Sequence, residues 1–162
     1  QDLVNTVDLL TGQQVSWGLT GRRAVRVADA IFASCALPGI FPPREIEGHY
    51  YVDGAVVENL PVRVAATAGT GPIIAVNVAA TSVTRSLAET WGFAATYIRG
   101  LEIVMQTQIE SHLRDWAGPP LTLIEPAVEH VGMFSFSQTR ELIDEGYRST
   151  ADALDRADRP AA

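Results

Sequence analysis

A lone carboxylate at the end of an apolar strand is the residue in this sequence best placed to meet a ligand. In Tyr51-Val-Asp-Gly-Ala-Val-Val-Glu-Asn-Leu-Pro61 the strand formers Tyr50, Tyr51 and Val52 run into Asp53 and stop at Gly54. Glycine adopts backbone conformations closed to other residues, and Pro61 suits the first turn of a following helix. An aspartate at such a tip is held by the sheet while its oxygens reach into the crevice beyond the strand ends, where ligands bind in open α/β sheets. The competing reading is conformational, since Asp-Gly often makes a turn and nothing more.

The other reactive side chains are weaker candidates. Ser34, in Ala33-Ser-Cys-Ala36, falls inside a predicted helix, whereas an activated serine usually needs an exposed elbow. Cys35 reads as a small buried hydrophobe with no activating neighbour. His49, His112 and His130 show no metal-ligand spacing with a Cys or Asp partner, so no metal is expected. His49 shares a strand with Asp53, yet an ordinary surface or core histidine is the expectation for all three. Arg22, Arg23 and Arg26 have the chemistry to meet a phosphate group, but they read as a solvated face. Phe134 and Phe136 are expected to pack the last helix in preference to forming an exposed apolar patch. No cofactor motif is present: there is neither G-x-G-x-x-G nor a P-loop, which leaves a nucleotide-binding α/β domain unsupported.

The elements that must position Asp53 follow from pattern. Residues 2–17 alternate around Thr11-Gly12 and predict a β-hairpin, and residues 44–53 predict a second one turning at Glu47-Gly48. Between them a helix is expected at about 26–36, with Val27, Ala30, Ile31 and Ser34 on its core face. Pro38 ends it, and Gly39-Ile-Phe-Pro-Pro43 reads as a buried loop. A helix at about 61–68 follows, then Ile73-Ile-Ala-Val-Asn-Val78, a continuous apolar run of the kind buried on both faces of a parallel sheet. The order strand, helix, strand suggests a right-handed crossover from the Asp53 strand to this one.

A long helix is expected at about 87–116 with Ala94, Ile98, Leu101, Met105, Ile109, His112 and Trp116 on one stripe. Gly118-Pro119-Pro120 breaks it before a short buried strand, Leu121–Ile124. The final helix starts near Ser135 or Ser137 with Leu142, Ile143, Tyr147, Ala151 and Leu154 inward, and residues 155–162 read as a frayed tail.

Composition bounds the function. The chain has 162 residues, 47% of them hydrophobic, enough for one domain with a core or for half of a larger one. Its 12 basic and 19 acidic residues give a net charge of −7, which argues against a nucleic-acid partner, because phosphate binding needs clustered Lys and Arg. Cys35, the single cysteine, excludes an internal disulfide and fits a reducing, cytoplasmic compartment. No stretch approaches the ~20 apolar residues of a membrane span. Gln1 followed by Asp-Leu-Val-Asn reads as the middle of a protein.

Three consecutive blocks then resemble the patatin-like phospholipase family: Ala33-Ser-Cys-Ala-Leu-Pro-Gly-Ile-Phe-Pro-Pro43, Tyr51-Val-Asp-Gly-Ala55 and Glu58-Asn-Leu-Pro-Val62. Their order and spacing also match, and Phe136-Ser-Gln-Thr-Arg-Glu-Leu-Ile-Asp-Glu-Gly-Tyr147 looks like the closing helix of bacterial members. The resemblance implies an α/β fold with a three-layer arrangement, a sheet flanked by helices, that hydrolyses fatty acyl esters of lipids with a Ser–Asp dyad. Asp53-Gly54-Ala55 matches the family's D-G-[AG] motif, so Asp53 is the implied catalytic base and Ser34 has no implied role. The family's G-x-S-x-G elbow is not in this sequence, since no two of its 13 glycines lie four positions apart. The glycine-rich oxyanion loop is missing too. Residues 1–162 are therefore expected to be the C-terminal portion of the catalytic domain, with the serine upstream and no cofactor. The implied partners are a lipid or fatty acyl ester substrate, a membrane surface touched peripherally, and the missing N-terminal half or a self-associated copy. A non-catalytic lipid-binding or regulatory module is the alternative if the missing half lacks its serine.

Overall fold

The computed structural model describes residues 2–18, 25–69, 71–79, 91–128, 131 and 136–157. Their elements are β1 (Val4–Asp8), β2 (Gln14–Trp17), α1 (Val27–Ser34), β3 (Arg44–Ile46), β4 (His49–Asp53), α2 (Ala55–Glu58), α3 (Val62–Ala68), β5 (Ile73–Val76), α4 (Phe93–Arg114) and β6 (Leu121–Ile124). A 3-10 turn at Phe136–Gln138 then leads into α5 (Thr139–Ala157). The chain is mixed α/β, as expected.

Both predicted hairpins form. β1 runs antiparallel to β2 with Thr6 opposite Val15, and β3 runs antiparallel to β4 with Ile46 opposite His49. The two-residue connection Glu47-Gly48 has φ of 54° and 80°, positive at both central positions as a type I′ turn requires. The hairpins then join, because β1 also pairs antiparallel with β4 and sets Thr6 opposite Asp53. The resulting order is β2-β1-β4-β3.

Residues directly opposite one another share a face, so Val4, Thr6, Val15, Trp17, Tyr51 and Asp53 lie on one side of this sheet. α1 covers that side with Ala30 and Ala33, whose methyl groups let the helix come close to Trp17 and Tyr51. The two rings meet edge to face at 5.1 Å. Trp17 Nε1 donates to Thr6 Oγ1 at 2.9 Å, and that hydroxyl donates to the Val15 carbonyl at 3.0 Å, so the buried polar atoms are satisfied. The expected core face of α1 is thereby corrected. Val27 and Ile31 are exposed, since the close approach over the aromatic pair admits only small residues. The Gly39–Pro43 loop turns, with Ile40 and Phe41 both donating their N–H to the Leu37 carbonyl, but its expected burial is corrected, since Phe41 is exposed.

β5 and β6 form a separate parallel pair, with Ile73 opposite Leu121, joined through α4. The expected crossover from β4 through α3 to β5 does not lie in one sheet. β4 is flanked by β1 on one side and β3 on the other, so no edge remains for β5. Nor is β5 buried on both faces: Ala75 is buried while Ile74 and Val76 are exposed, because the described residues cover only one side of this pair. α4 begins at Phe93, later than expected, and residues 87–90 lie outside the described part. Of its expected stripe only Ile109 is fully buried, and Ala94 is exposed.

α5 begins at Thr139; Ser135 lies outside the described residues. Its expected inner face is also corrected, as Ile143, Tyr147 and Leu154 are exposed and Ala153 is the buried residue. The four-residue strand β6 is too short to cover a helix of 19 residues. Glu145 ties α5 to the segment after β6 by accepting the Ala127 N–H at 3.1 Å. The Arg148 guanidinium, together with Ala127 N–H and the Ser149 hydroxyl, holds the Glu145 carboxyl at about 2, below its ordinary 4.5. A folded value depressed in this way adds stability above the ordinary pKa that is lost as pH falls through the folded one. The Ala127 amide resonance is therefore expected to stay at its neutral-pH position down to pH 4 and to titrate with a midpoint near 2. A midpoint near 4.5 would show that the contact does not form in solution.

Candidate functional site

Asp53 closes β4, with its main-chain N–H donating to the Ala36 carbonyl at 3.1 Å. Its Oδ1 accepts the Ala55 N–H at 2.9 Å. Asp-Gly thus makes the turn that the conformational reading expects, through a side-chain bond two residues on. That turn uses only one carboxylate oxygen, and Oδ2 receives no hydrogen bond from the described residues. Burial raises the Asp53 pKa above the usual aspartate value, against the opposing effect of the Ala55 N–H. A half-buried carboxylate with a raised pKa and a free oxygen is a competent proton acceptor.

Gly54 is needed for a reason other than the one its sequence suggests. Its φ of −63° and ψ of −19° are open to any residue, so backbone freedom is not the cause. A Cβ at this position would lie 2.5 Å from Asn5 Nδ2 and 2.7 Å from the Asn5 main-chain carbon. Gly54→Ala is expected to lower stability by about 1–3 kcal/mol through overpacking, read as a fall of several degrees in Tm. An unchanged Tm would show that β1 yields without cost. Ala55 opens α2 and supplies the N–H that orients Asp53.

Asp53, Gly54 and Ala55 line a cavity of about 360 Å³ together with Ile31, Ser34 and Cys35 of the α1 end. The volume lies within the usual range for small-molecule sites. Ser34 is the last residue of α1 and is half-buried, and Cys35 caps the helix and is exposed. Both expectations of buried packing are corrected, because the helix stops here and its final turn borders the cavity in place of the core.

His49 stands at the opposite end of β4 from Asp53. Its Nδ1 lies 2.8 Å from Oδ2 of buried Asp8, so its partner is Asp8. Burial pushes the Asp8 carboxyl up, but the Leu10 N–H and His49 outweigh it and leave the pKa lowered. His112 is half-buried on α4, and His130 lies outside the described residues. Arg26 pairs with Asp29 at 2.7 Å on the exposed surface, with Arg44 on the same carboxylate; Arg22 and Arg23 lie outside the described residues. Phe136 is exposed and does not pack the last helix, its place in the 3-10 turn lying ahead of α5; Phe134 is outside the described part. Among the described residues no group of three or more His, Cys, Asp and Glu is arranged to hold a metal ion. None of the described helices is long and apolar enough to cross a membrane.

One residue with a clear structural role was quoted in the sequence without any role assigned. Glu58 is buried and borders the same cavity. An acidic residue just ahead of the α3 pattern was the available signal, since such residues often satisfy the free N–H groups of a helix start.

Fold and site together define a mixed α/β chain that presents the half-buried Asp53 carboxylate at the edge of a ligand-sized cavity. Residues 10–66, which hold both Asp53-Gly54-Ala55 and Glu58, match the model of the patatin-like phospholipase family. An uncharacterized NTE family protein of Mycobacterium bovis is 26% identical over 92% of this chain and 28% of its own length. Uncharacterized NTE family proteins of two Mycobacterium tuberculosis strains show the same identity and coverage. The chain therefore spans 28% of the length of these curated relatives. At the level of the family, the likeness is to a lipid hydrolase.

Proposed function

We propose that the complete protein hydrolyses carboxylic esters of lipids through a Ser–Asp dyad in which Asp53 is the general base. The observation that carries this reading is the Asp53 carboxylate itself: half-buried, raised in pKa, held on one oxygen by the Ala55 N–H and with its other oxygen free of hydrogen bonds from the described residues at the edge of a cavity. The nucleophilic serine and most of the oxyanion-stabilising donors come from sequence N-terminal to residue 1. Asp53 accepts the serine proton as the hydroxyl oxygen attacks the ester carbonyl, and returns it to the departing alcohol. Water, activated by the same carboxylate, then releases the fatty acid and restores the serine. Ile31 and Val4 give the cavity an apolar side suited to an acyl chain. The reading includes a cytoplasmic enzyme that touches a membrane peripherally to reach its substrate.

The test is covalent labelling of the full-length protein with a fluorophosphonate, which reacts with activated serines. A single labelled serine outside residues 1–162, with loss of esterase activity, is the expected result. Labelling at Ser34 would move the nucleophile into this chain. Absence of labelling together with retained lipid binding would favour a non-catalytic lipid-binding module instead.

A further inference from the structure

We infer that Glu58 is a positioning residue for Asp53, its buried side chain fastening the segment Gly54–Glu58 to the face of the sheet opposite α1. The inference rests on the reading of Asp53 as base. Asn5, Val7 and Gln14 share that opposite face by register, since Val7 pairs with Gln14. Gln14 Nε2 donates to Glu58 Oε2 at 2.9 Å and to Asn5 Oδ1 at 3.0 Å. Asn5 Nδ2 donates to the Glu58 carbonyl at 3.3 Å, and the Arg63 N–H reaches Glu58 Oε1 at 3.3 Å. The Glu58 side chain is 4% exposed, and its hydrogen-bond donors are neutral N–H groups. A charge taken so far out of water is costly unless its lone pairs are filled, which is what these donors do.

The segment is held at its other points as well. Gly54 sits against Asn5, too close for any Cβ. Gln108 of α4 donates from Nε2 to the Val56 carbonyl at 2.9 Å. Ala55, whose N–H orients Asp53 Oδ1, lies between these anchors. Releasing the Glu58 end lets the Ala55 N–H shift, and Asp53 Oδ2 shifts with it. A displacement near 1 Å at a reacting group is enough to cost on the order of 10²-fold in rate.

The experiment uses the full-length protein with a short-chain p-nitrophenyl ester. Glu58→Ala is expected to lower kcat by about 10- to 100-fold while KM stays within about twofold. Gln14→Ala should lower kcat in the same way, and the double variant should be no slower than Glu58→Ala alone, because both break one network. Glu58→Gln keeps one acceptor oxygen and should recover part of the rate. Ile124→Ala, a buried core change in β6 away from the cavity, is the control that lowers Tm without lowering kcat. Unchanged kcat in Glu58→Ala and Gln14→Ala with Asp53→Asn inactive would overturn the positioning role alone. Losses carried by KM, or additive losses, would overturn it too. An active Asp53→Asn would overturn the base assignment, and this inference with it. Should Glu58→Ala fail to fold, Gln14→Ala and Glu58→Gln decide on the same criteria.

Discussion

Asp53→Asn is expected to abolish ester hydrolysis by the complete protein and to leave its fold intact. Asparagine has nearly the same shape, and its one amide oxygen can still accept the Ala55 N–H that holds the turn. What it loses is the capacity to take up a proton. Loss of a general base costs roughly 10²–10⁴-fold in rate, so more than about a tenth of the wild-type rate remaining would sink the assignment. The pH dependence carries the same information. Burial raises the Asp53 pKa, so the base is protonated, and activity falls, as pH drops through a value above the ordinary 3.8. The acid limb of kcat/KM is expected above that value in the wild type. An acid limb below it would mean that a different group is titrating.

Residues 1–162 expressed alone are expected to hydrolyse no ester and not to persist as a monomer. Inactivity follows from the proposal that the serine lies N-terminal to residue 1, because Asp53 then has no hydroxyl to activate. Association follows from the surface. Ile74 and Val76 are exposed on β5 and Val78 just beyond it, and Ile143 and Tyr147 along α5. Among the described residues β5 and β6 pair only with each other, which leaves each with an open edge. An isolated two-stranded sheet with a bare apolar side is marginal, and such edges recruit other strands. On the proposal above, the sequence N-terminal to residue 1 is the fitting occupant, with a second copy or aggregation as the expected outcome without it. Light scattering on the isolated chain, repeated after adding the upstream segment, decides the matter. A stable monomer would show that the core closes within these residues. Esterase activity of the isolated chain would show that a serine within it is the nucleophile.

The local features of this protein are legible in its sequence because they depend on neighbours in the chain. Glu47-Gly48 specifies a type I′ turn through the positive φ that both positions adopt, and the alternation on either side specifies the strands it joins. The run Tyr50-Tyr51-Val52 ahead of Asp53-Gly54 likewise sets Asp53 at a strand end, and the motif blocks within residues 10–66 carry the likeness to the family.

What surrounds that carboxylate was decided by tertiary contacts between segments far apart in sequence. Pairing of β1 with β4 brings Thr6 opposite Asp53 and makes β4 an inner strand, which excludes β5 from that sheet. No local pattern encodes such a choice, because any strand edge is a possible partner until the others are taken. Gly54 is required by the approach of Asn5, 49 positions away in the chain, and not by its own dihedrals. The face that α1 buries was set by the aromatic pair beneath it, which admits Ala30 and Ala33 and turns Ile31 toward the cavity. Glu58 could be read from the sequence only as an acid between two valines and an asparagine. Its burial, and the amides of Asn5 and Gln14 that make burial tolerable, exist only once the first hairpin has docked against the second.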